Sequence, residues 1–149
     1  MRLTLYTDYT LRVLMYLALK QRDGDGLATV DDIATAYGIS RNHLTKIVQE
    51  LGQQGFIETL RGRSGGMRLA RPAAEVSIGA VVRMAEKDFA VVACHDESQP
   101  HGCAVFPACR LKRRLAKAVE AFLAELDGMT LDEAIGAPVQ AAVLLGLRA

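Results

Sequence analysis

The fold is decided by one stretch of sequence, Tyr37-Gly38-Ile39-Ser40-Arg41-Asn42-His43-Leu44-Thr45-Lys46-Ile47. Gly38 suits the left-handed position that ends a helix, Ile39 supplies an apolar residue for the corner, and Ser40 suits the cap of a following helix. Beyond this corner, apolar residues recur at helical spacing at Leu44, Ile47, Val48 and Leu51. The stretch therefore predicts a tight helix-turn-helix.

The segments on either side of this stretch predict a complete small domain. Apolar residues recur at helical spacing from Leu11 to Leu19, which predicts a buried first helix with Thr7 as its N-cap and Asp8 in its first turn. Residues 29–32 have the form of a capping box that opens a second helix. Two short strands, 56–60 and 67–69, are joined by a basic, glycine-rich tip. A helix-turn-helix followed by such a hairpin is a winged helix, which we expect over residues 1–75.

The remaining half of the chain predicts two more helices around a segment that contains every cysteine. One helix is expected around residues 78–85 and a long one from Arg110 onward, with its apolar residues on one stripe. The fold class is therefore mainly α with a small β-hairpin wing.

Length and composition exclude several classes of protein. With 149 residues, half of them apolar, the chain can bury one core. The apolar run from Val13 to Leu19 is too short to cross a bilayer, and Asp8 interrupts any signal-peptide core, so we expect a cytoplasmic protein without a membrane partner. The sequence shows no nucleophile with a matched base, no phosphate-binding glycine loop and no paired catalytic carboxylates. An enzyme is not expected.

Charge is unevenly placed along the chain. The formal net charge is only +1, but residues 39–71 carry six basic and two acidic side chains, as a surface that binds phosphate requires. A solvated helix face would explain a polar third helix by itself, but the turn before it and the basic hairpin after it favour DNA binding. The predicted DNA-binding residues are Ser40, Arg41, Asn42, His43, Thr45, Lys46 and Gln49 of the third helix and Arg61, Arg63 and Ser64 of the wing.

Three cysteines, Cys94, Cys103 and Cys109, lie within sixteen residues and are spaced C-x8-C-x5-C. An odd number in so short a segment argues against a disulfide framework and for soft-metal or redox chemistry, either zinc or an iron-sulfur cluster. Three thiolates complete neither kind of site. The nearby candidates for a fourth ligand are His95, Asp96 and His101. Asp8 is a further candidate, although the helix dipole alone ordinarily explains an acidic residue in a first helical turn.

Two other classes of protein remain open on these residues. A winged-helix regulator could use the same thiols to bind zinc or to form redox disulfides. A small electron-transfer protein would be expected to have four thiolates and an acidic docking surface, and it would need no recognition helix.

Four stretches of the chain resemble one known family. They are Leu3-Thr4-x-x-Thr7-Asp8-Tyr9, the helix-turn-helix stretch quoted first, the wing from Arg61 to Leu69, and Pro107-Ala108-Cys109-Arg110-Leu111-Lys112. They are similar to the NsrR family of nitric-oxide-sensing repressors, iron-sulfur winged-helix regulators related to IscR and RirA. The likeness continues through Phe122-Leu123-x-Glu125-Leu126-Asp127 and Thr130-Leu131, so the resemblance covers all but about the last dozen residues.

The resemblance implies a homodimer that binds palindromic operator DNA and takes nitric oxide as its signal. It implies a [4Fe-4S] cluster held by Cys94, Cys103, Cys109 and Asp8 of the partner subunit. Residues 76–149 would then form a cluster-binding loop and a dimerisation helix. IscR, which binds a [2Fe-2S] cluster, is less similar, because its histidine ligand falls where this chain has Lys112; a [2Fe-2S] cluster remains the alternative.

Overall fold

The computed structural model describes residues 2–22, 24, 26–62, 65–96 and 103–147. Within these ranges the helices are α1 (Leu5–Arg22), α2 (Val30–Tyr37), α3 (Arg41–Gln53), α4 (Ile78–Ala85), α5 (Arg110–Asp127), α6 (Leu131–Ala134) and α7 (Pro138–Leu144), and the strands are β1 (Ile57–Leu60) and β2 (Gly66–Leu69). The mainly α fold with a small hairpin is confirmed. Across these same ranges, no helix combines the length and the apolar character that a membrane span requires.

The start of α1 differs from the sequence prediction. The helix begins at Leu5, and the Thr4 hydroxyl accepts a hydrogen bond from the Thr7 backbone N–H at 3.3 Å. Thr7 is fully buried inside the first turn, so its prediction as the N-cap was wrong. The error arose because the apolar repeat becomes regular only from Leu11, nearly two turns into the helix. Asp8 lies in the first turn, as predicted.

The helix-turn-helix forms as the sequence predicts. Thr29 and Asp32 make the reciprocal bonds of a capping box at the start of α2. Gly38 ends α2 in the left-handed region at φ 64°, a conformation that glycine adopts without steric cost. The Ser40 side chain then caps α3 by accepting a hydrogen bond from the His43 N–H. Ile39 is buried at the corner between the two helices.

One hydrophobic core joins the two halves of the chain. Leu14 and Leu17 of α1 and Leu44 and Leu51 of α3 are fully buried, and each such side chain stabilises the fold by roughly 1.5–3 kcal/mol relative to an exposed one. The same core takes in Leu131, Ile135, Ala142 and Leu147 near the C-terminus. The short C-terminal helices α6 and α7 therefore pack back against α1.

The wing is an antiparallel hairpin tied to the segment before α2. Ile57 pairs with Leu69 and Leu60 pairs with Gly66. Ala28 and Met67 exchange backbone hydrogen bonds of 3.0 and 2.8 Å, which add a third segment beside β2. These bonds fix the base of the wing close to the helix-turn-helix.

Helix α4 approaches the end of α5 closely. A Cβ on Gly79 would lie 2.7 Å from the backbone nitrogen of Asp127, so only glycine fits at this contact. The Arg83 guanidinium pairs with the Asp127 carboxylate alongside. No residue of α5 is fully buried, and Leu111 in its first turn is 63% exposed. The apolar stripe of α5 is therefore only partly covered within the described chain.

Candidate nucleic-acid interface and cysteine segment

Helix α3 presents a continuous polar face. Its inner side is formed by the buried Leu44, Ile47 and Leu51, while Val48 is only partly buried. The predicted DNA-binding residues of this region are all exposed: Ser40, Arg41, Asn42, His43, Thr45, Lys46 and Gln49. Since these side chains include bidentate hydrogen-bonding groups, the face has the chemistry needed to contact base edges in a major groove.

Arg41 is held by a carboxylate that sequence reasoning missed. The Arg41 Nη1 atom lies 2.9 and 3.0 Å from the two carboxylate oxygens of Asp31 on α2. Both side chains are about two-thirds exposed, so this pair contributes little to stability. It nevertheless positions the guanidinium at the start of α3, and the Nη1 atom is engaged with Asp31 before any other partner binds.

Two tyrosines of α1 contact side chains of α3. The Tyr6 hydroxyl donates a 2.6 Å hydrogen bond to Glu50 Oε2, and the Tyr9 ring centroid lies 6.1 Å from that of His43. Burial and the bond to Glu50 raise the pKa of the Tyr6 hydroxyl well above its usual value, so it stays protonated as the donor. The orientation of α3 therefore depends on the N-terminal turns of α1.

Two of the described basic residues of the wing region already have contacts within the chain. Arg61 is exposed at the end of β1, whereas Arg63 and Ser64 lie outside the described residues. Arg68 is paired with Glu58 across the hairpin, and the Arg71 guanidinium lies 5.3 Å from the centre of the Phe56 ring. Of the described basic residues of the hairpin, Arg61 is placed best to contact a phosphate.

The three cysteines are free and lie on different local structures. Cys94 is half-buried in a 3-10 turn at Ala93–His95, and Cys109 is half-buried at the N-cap position of α5. Cys103 is exposed, and its carbonyl accepts a 3.1 Å hydrogen bond from the Phe106 N–H, which opens the turn that leads to Cys109.

The Cys94 turn is anchored to the start of α5. The His95 Nε2 atom lies 3.0 Å from the Lys112 carbonyl oxygen, one turn after Cys109. The Lys112 ammonium group in turn lies 3.7 Å from the centre of the Phe106 ring. These contacts bring the segments that carry Cys94 and Cys109 to the same end of α5, and they engage the Nε2 atom of His95, one of the candidate fourth ligands.

The donor set fits a soft-metal cluster in chemistry, since it offers three free thiols in one segment. Over residues 2–22, 24, 26–62, 65–96 and 103–147, no three His, Cys, Asp or Glu side chains converge closely enough to hold a metal ion. Asp96 already has a partner in the chain, and His101 lies outside these ranges. The choice among the candidate fourth ligands stays a prediction.

Asp8 lies on the exposed side of α1 with a partner of its own. Its oxygens lie 3.1 and 2.9 Å from the Arg12 guanidinium, one helical turn later, and about two-fifths of each side chain is exposed. Arg12 also lies over the Tyr37 ring of α2 at 5.7 Å. Asp8 is therefore accessible to a second molecule, but it is engaged with Arg12 within its own chain.

Sequence reasoning missed the partners of Arg41 and Asp8. The Asp8–Arg12 pair could have been found, because a carboxylate four residues before an arginine on a helix is a standard ion-pair spacing. The Asp31–Arg41 pair could not, since it joins two helices and depends on their crossing.

Comparison with known proteins gives this architecture a family. A family model described as Rrf2, iron-dependent transcriptional regulator, matches residues 3–137. The HTH-type transcriptional regulator NsrR of Geobacillus kaustophilus is 50% identical over 133 residues, covering 88% of this chain and 87% of that protein. The regulator of the same name from Halalkalibacterium halodurans is 45% identical over 148 residues, covering 99% of each.

Solved structures with similar folds point the same way. The oxidized form of CymR from Staphylococcus aureus superimposes with a TM-score of 0.67 at 30% identity, over 88% of this chain and 93% of that one. IscR of T. potens has a TM-score of 0.69 at 23% identity, over 91% of this chain and 87% of that one, a likeness of fold alone. With a family model spanning almost the whole length and relatives at 45–50% identity, the chain belongs to the Rrf2 family of transcriptional regulators.

Proposed function

We propose that this protein is a cytoplasmic, homodimeric repressor that binds palindromic operator DNA and senses nitric oxide through a [4Fe-4S] cluster at Cys94, Cys103 and Cys109. The observation that carries the proposal is the combination of an iron-dependent family match with three free thiols in one segment. The resemblance to the NsrR family supplies nitric oxide as the signal.

The exposed face of α3 enters the major groove in this proposal. Arg41 and Asn42, at the N-terminal end of α3, are placed to contact base edges, and Lys46 and Arg61 are placed to contact phosphates. A contact with guanine that uses the Nη1 atom of Arg41 requires this atom to leave Asp31. Asp31 thus competes with the operator and disfavours binding to sequences that offer Arg41 no bidentate acceptor.

The cysteine segment holds the cluster in this proposal. Its three thiols would be the ligands of one subunit, and Asp8 of the partner subunit would be the fourth. The cluster would supply iron that reacts with nitric oxide, and a carboxylate is a harder, weaker ligand for that iron than a thiolate. Within its own chain, Asp8 has Arg12 as an alternative partner, so its carboxylate remains paired when it is not a ligand.

The dimer forms through α5 in this proposal. An apolar stripe runs along α5, yet no residue of this helix is fully buried, and Leu111 is largely exposed. Packing the stripe against the same stripe of a second copy would cover this apolar area. The symmetric pair would place two α3 helices about one turn of DNA apart, roughly 34 Å, as a palindrome requires.

Anaerobic purification tests the cofactor directly. We expect a brown protein with broad visible absorption, about four iron atoms per chain by metal analysis, and little zinc. A colourless protein with stoichiometric zinc would contradict the proposal and favour a zinc or thiol-redox regulator. About two iron atoms per chain would favour the [2Fe-2S] alternative.

A further inference from the structure

Glu86 joins the first turn of α1 to the start of the cysteine segment. It follows α4 directly, and its Oε1 atom accepts hydrogen bonds from the Thr4 backbone N–H at 2.7 Å, the Thr4 hydroxyl at 3.1 Å and the Thr7 hydroxyl at 2.5 Å. A carboxylate at a helix N-terminus is favoured by the unpaired N–H groups and the helix dipole. One side chain therefore satisfies three donors of a helix 79 to 82 residues away in sequence.

The same turn of α1 carries Asp8, the proposed cluster ligand, and Tyr6, which contacts α3. The Asp8 N–H donates to the Thr4 carbonyl at 3.1 Å, so Glu86 and Asp8 are held by one helical turn. In the same turn, Tyr6 bonds to Glu50 of α3. The first two turns of α1 thus link Glu86, Asp8 and the recognition helix.

A cavity separates this turn from part of the chain that follows α4. A cavity of about 800 Å³ opens between the N-terminus of α1, the end of α4 and residues 87–91, with Phe122 of α5 in its wall. Thr4, Tyr6, Glu50 and Glu86 all line it. Polar bonds therefore connect these elements across a space that apolar packing leaves unfilled.

We propose that Glu86 is a positioning residue that fixes the first turn of α1 against the start of the cysteine segment, so that displacement of this segment is transmitted through α1 to α3. The link itself is a property of one chain. The further step, in which a signal at the cysteines causes this displacement, rests on the proposed function above.

Hydrogen exchange of the metal-free, full-length chain tests the link without any cluster. In Glu86→Ala we expect the amides of Thr4, Thr7 and Asp8 to exchange roughly tenfold faster, the order expected for loss of a charge-assisted hydrogen bond. The core amides of residues 13–17 should keep their rates. Glu86→Gln retains an oxygen acceptor and should give an intermediate rate. The matched control is Glu75→Ala, which removes an exposed carboxylate outside this network and should leave all these rates unchanged.

The same samples test whether the structural change reaches α3, the proposed recognition helix. We expect NMR chemical-shift changes at His43 and Glu50 in Glu86→Ala and in Thr7→Val, and the two changes should not add in the double variant, because the bond that Thr7→Val removes is one of the three that Glu86→Ala removes. Unchanged exchange at Thr4, Thr7 and Asp8, or equal acceleration of the core amides, would overturn the positioning role. Unperturbed signals of α3 would overturn the transmission. Neither result depends on the cofactor, so failure of the proposed function would be seen separately, as a chain that binds no iron.

Discussion

The helix-turn-helix and the cysteine segment differ in how far a single chain builds them. The helix-turn-helix is held by its helix caps and by buried aliphatic side chains such as Ile33 of α2 and Leu44 of α3, and its polar face is exposed on a single chain. In the cysteine segment the donors are present and two of their turns meet at the start of α5, but within the described residues no metal site closes. A single polypeptide therefore forms the helix-turn-helix alone. We propose that a cofactor and a second copy of the chain complete the site in the cysteine segment.

The largest effect should come from removing a thiol. Replacing Cys109 with serine is expected to abolish iron incorporation and lower operator affinity to the non-specific level, about a thousandfold or more. Metal analysis and a DNA-binding titration at fixed salt measure both. Ala104→Ser, which adds a hydroxyl at an exposed position beside Cys103, is the matched control and should retain both properties. Full operator affinity in the Cys109 variant would mean that the thiols do not control DNA binding.

Removing a buried leucine should damage the other region instead. Leu44→Ala deletes a fully buried side chain of α3 and is expected to lower the free energy of unfolding by about 2–5 kcal/mol, measured by denaturant titration. The exposed Gln49→Ala on the same helix should change it by less than about 0.5 kcal/mol. Equal stability of the two variants would show that α3 is not anchored by its inner face.

Arg41→Ala should lower affinity for the operator by about 1–3 kcal/mol and affinity for random DNA by much less, because a bidentate base contact is lost. The paired variant Asp31→Asn removes the carboxylate that holds Arg41, so we expect tighter operator binding. Competition titrations with operator and random DNA measure both. Uniform weakening by Arg41→Ala would assign this residue to phosphate contact.

A smaller loss is expected at the start of α2. Thr29→Ala removes the capping box and should cost about 1 kcal/mol of unfolding free energy. Thr35→Ala, at an exposed position inside the same helix, should cost nothing, because alanine favours a helix interior. Thermal unfolding distinguishes them; a lower melting temperature in the second variant would contradict the capping account.

The smallest effect on stability should come from Asp8. Asp8→Ala breaks a half-exposed ion pair at i, i+4 spacing and is expected to cost the metal-free chain only about 0.3–0.5 kcal/mol. In the cluster-loaded dimer, the same change should make the cluster more labile, followed by the decay of its visible absorption. Arg12→Ala removes the same ion pair and leaves the carboxylate in place, so its cluster should not be more labile than the unmodified one. A cluster equally long-lived in Asp8→Ala would leave the fourth ligand to another residue.

The sequence predicted the helix-turn-helix because its determinants are local. The capping box at Thr29, the left-handed Gly38 and the Ser40 cap each act within four residues, and the structure forms all three. The same local reasoning misplaced the N-cap of α1, because it followed an apolar repeat that becomes regular only inside the helix, whereas the Thr4 hydroxyl makes the cap.

The sequence predicts which residues belong to the candidate sites but not which side chains contact one another there. Which side of α3 is exposed follows from its periodicity, but the pairing of Arg41 with Asp31 depends on how two helices cross. The three thiols indicate soft-metal chemistry by their residue type. The fourth ligand depends on contacts between distant segments, which the spacing of residues along the chain does not encode.

The central claim is that the cysteine segment controls the DNA-binding face in response to nitric oxide. The most direct measurement is an anaerobic titration of the cluster-loaded protein with nitric oxide, in which visible absorption and operator binding are recorded together at one salt concentration. We predict that the cluster absorption changes and operator affinity falls over the same range of added gas. Loss of the absorption with operator affinity unchanged would contradict the claim.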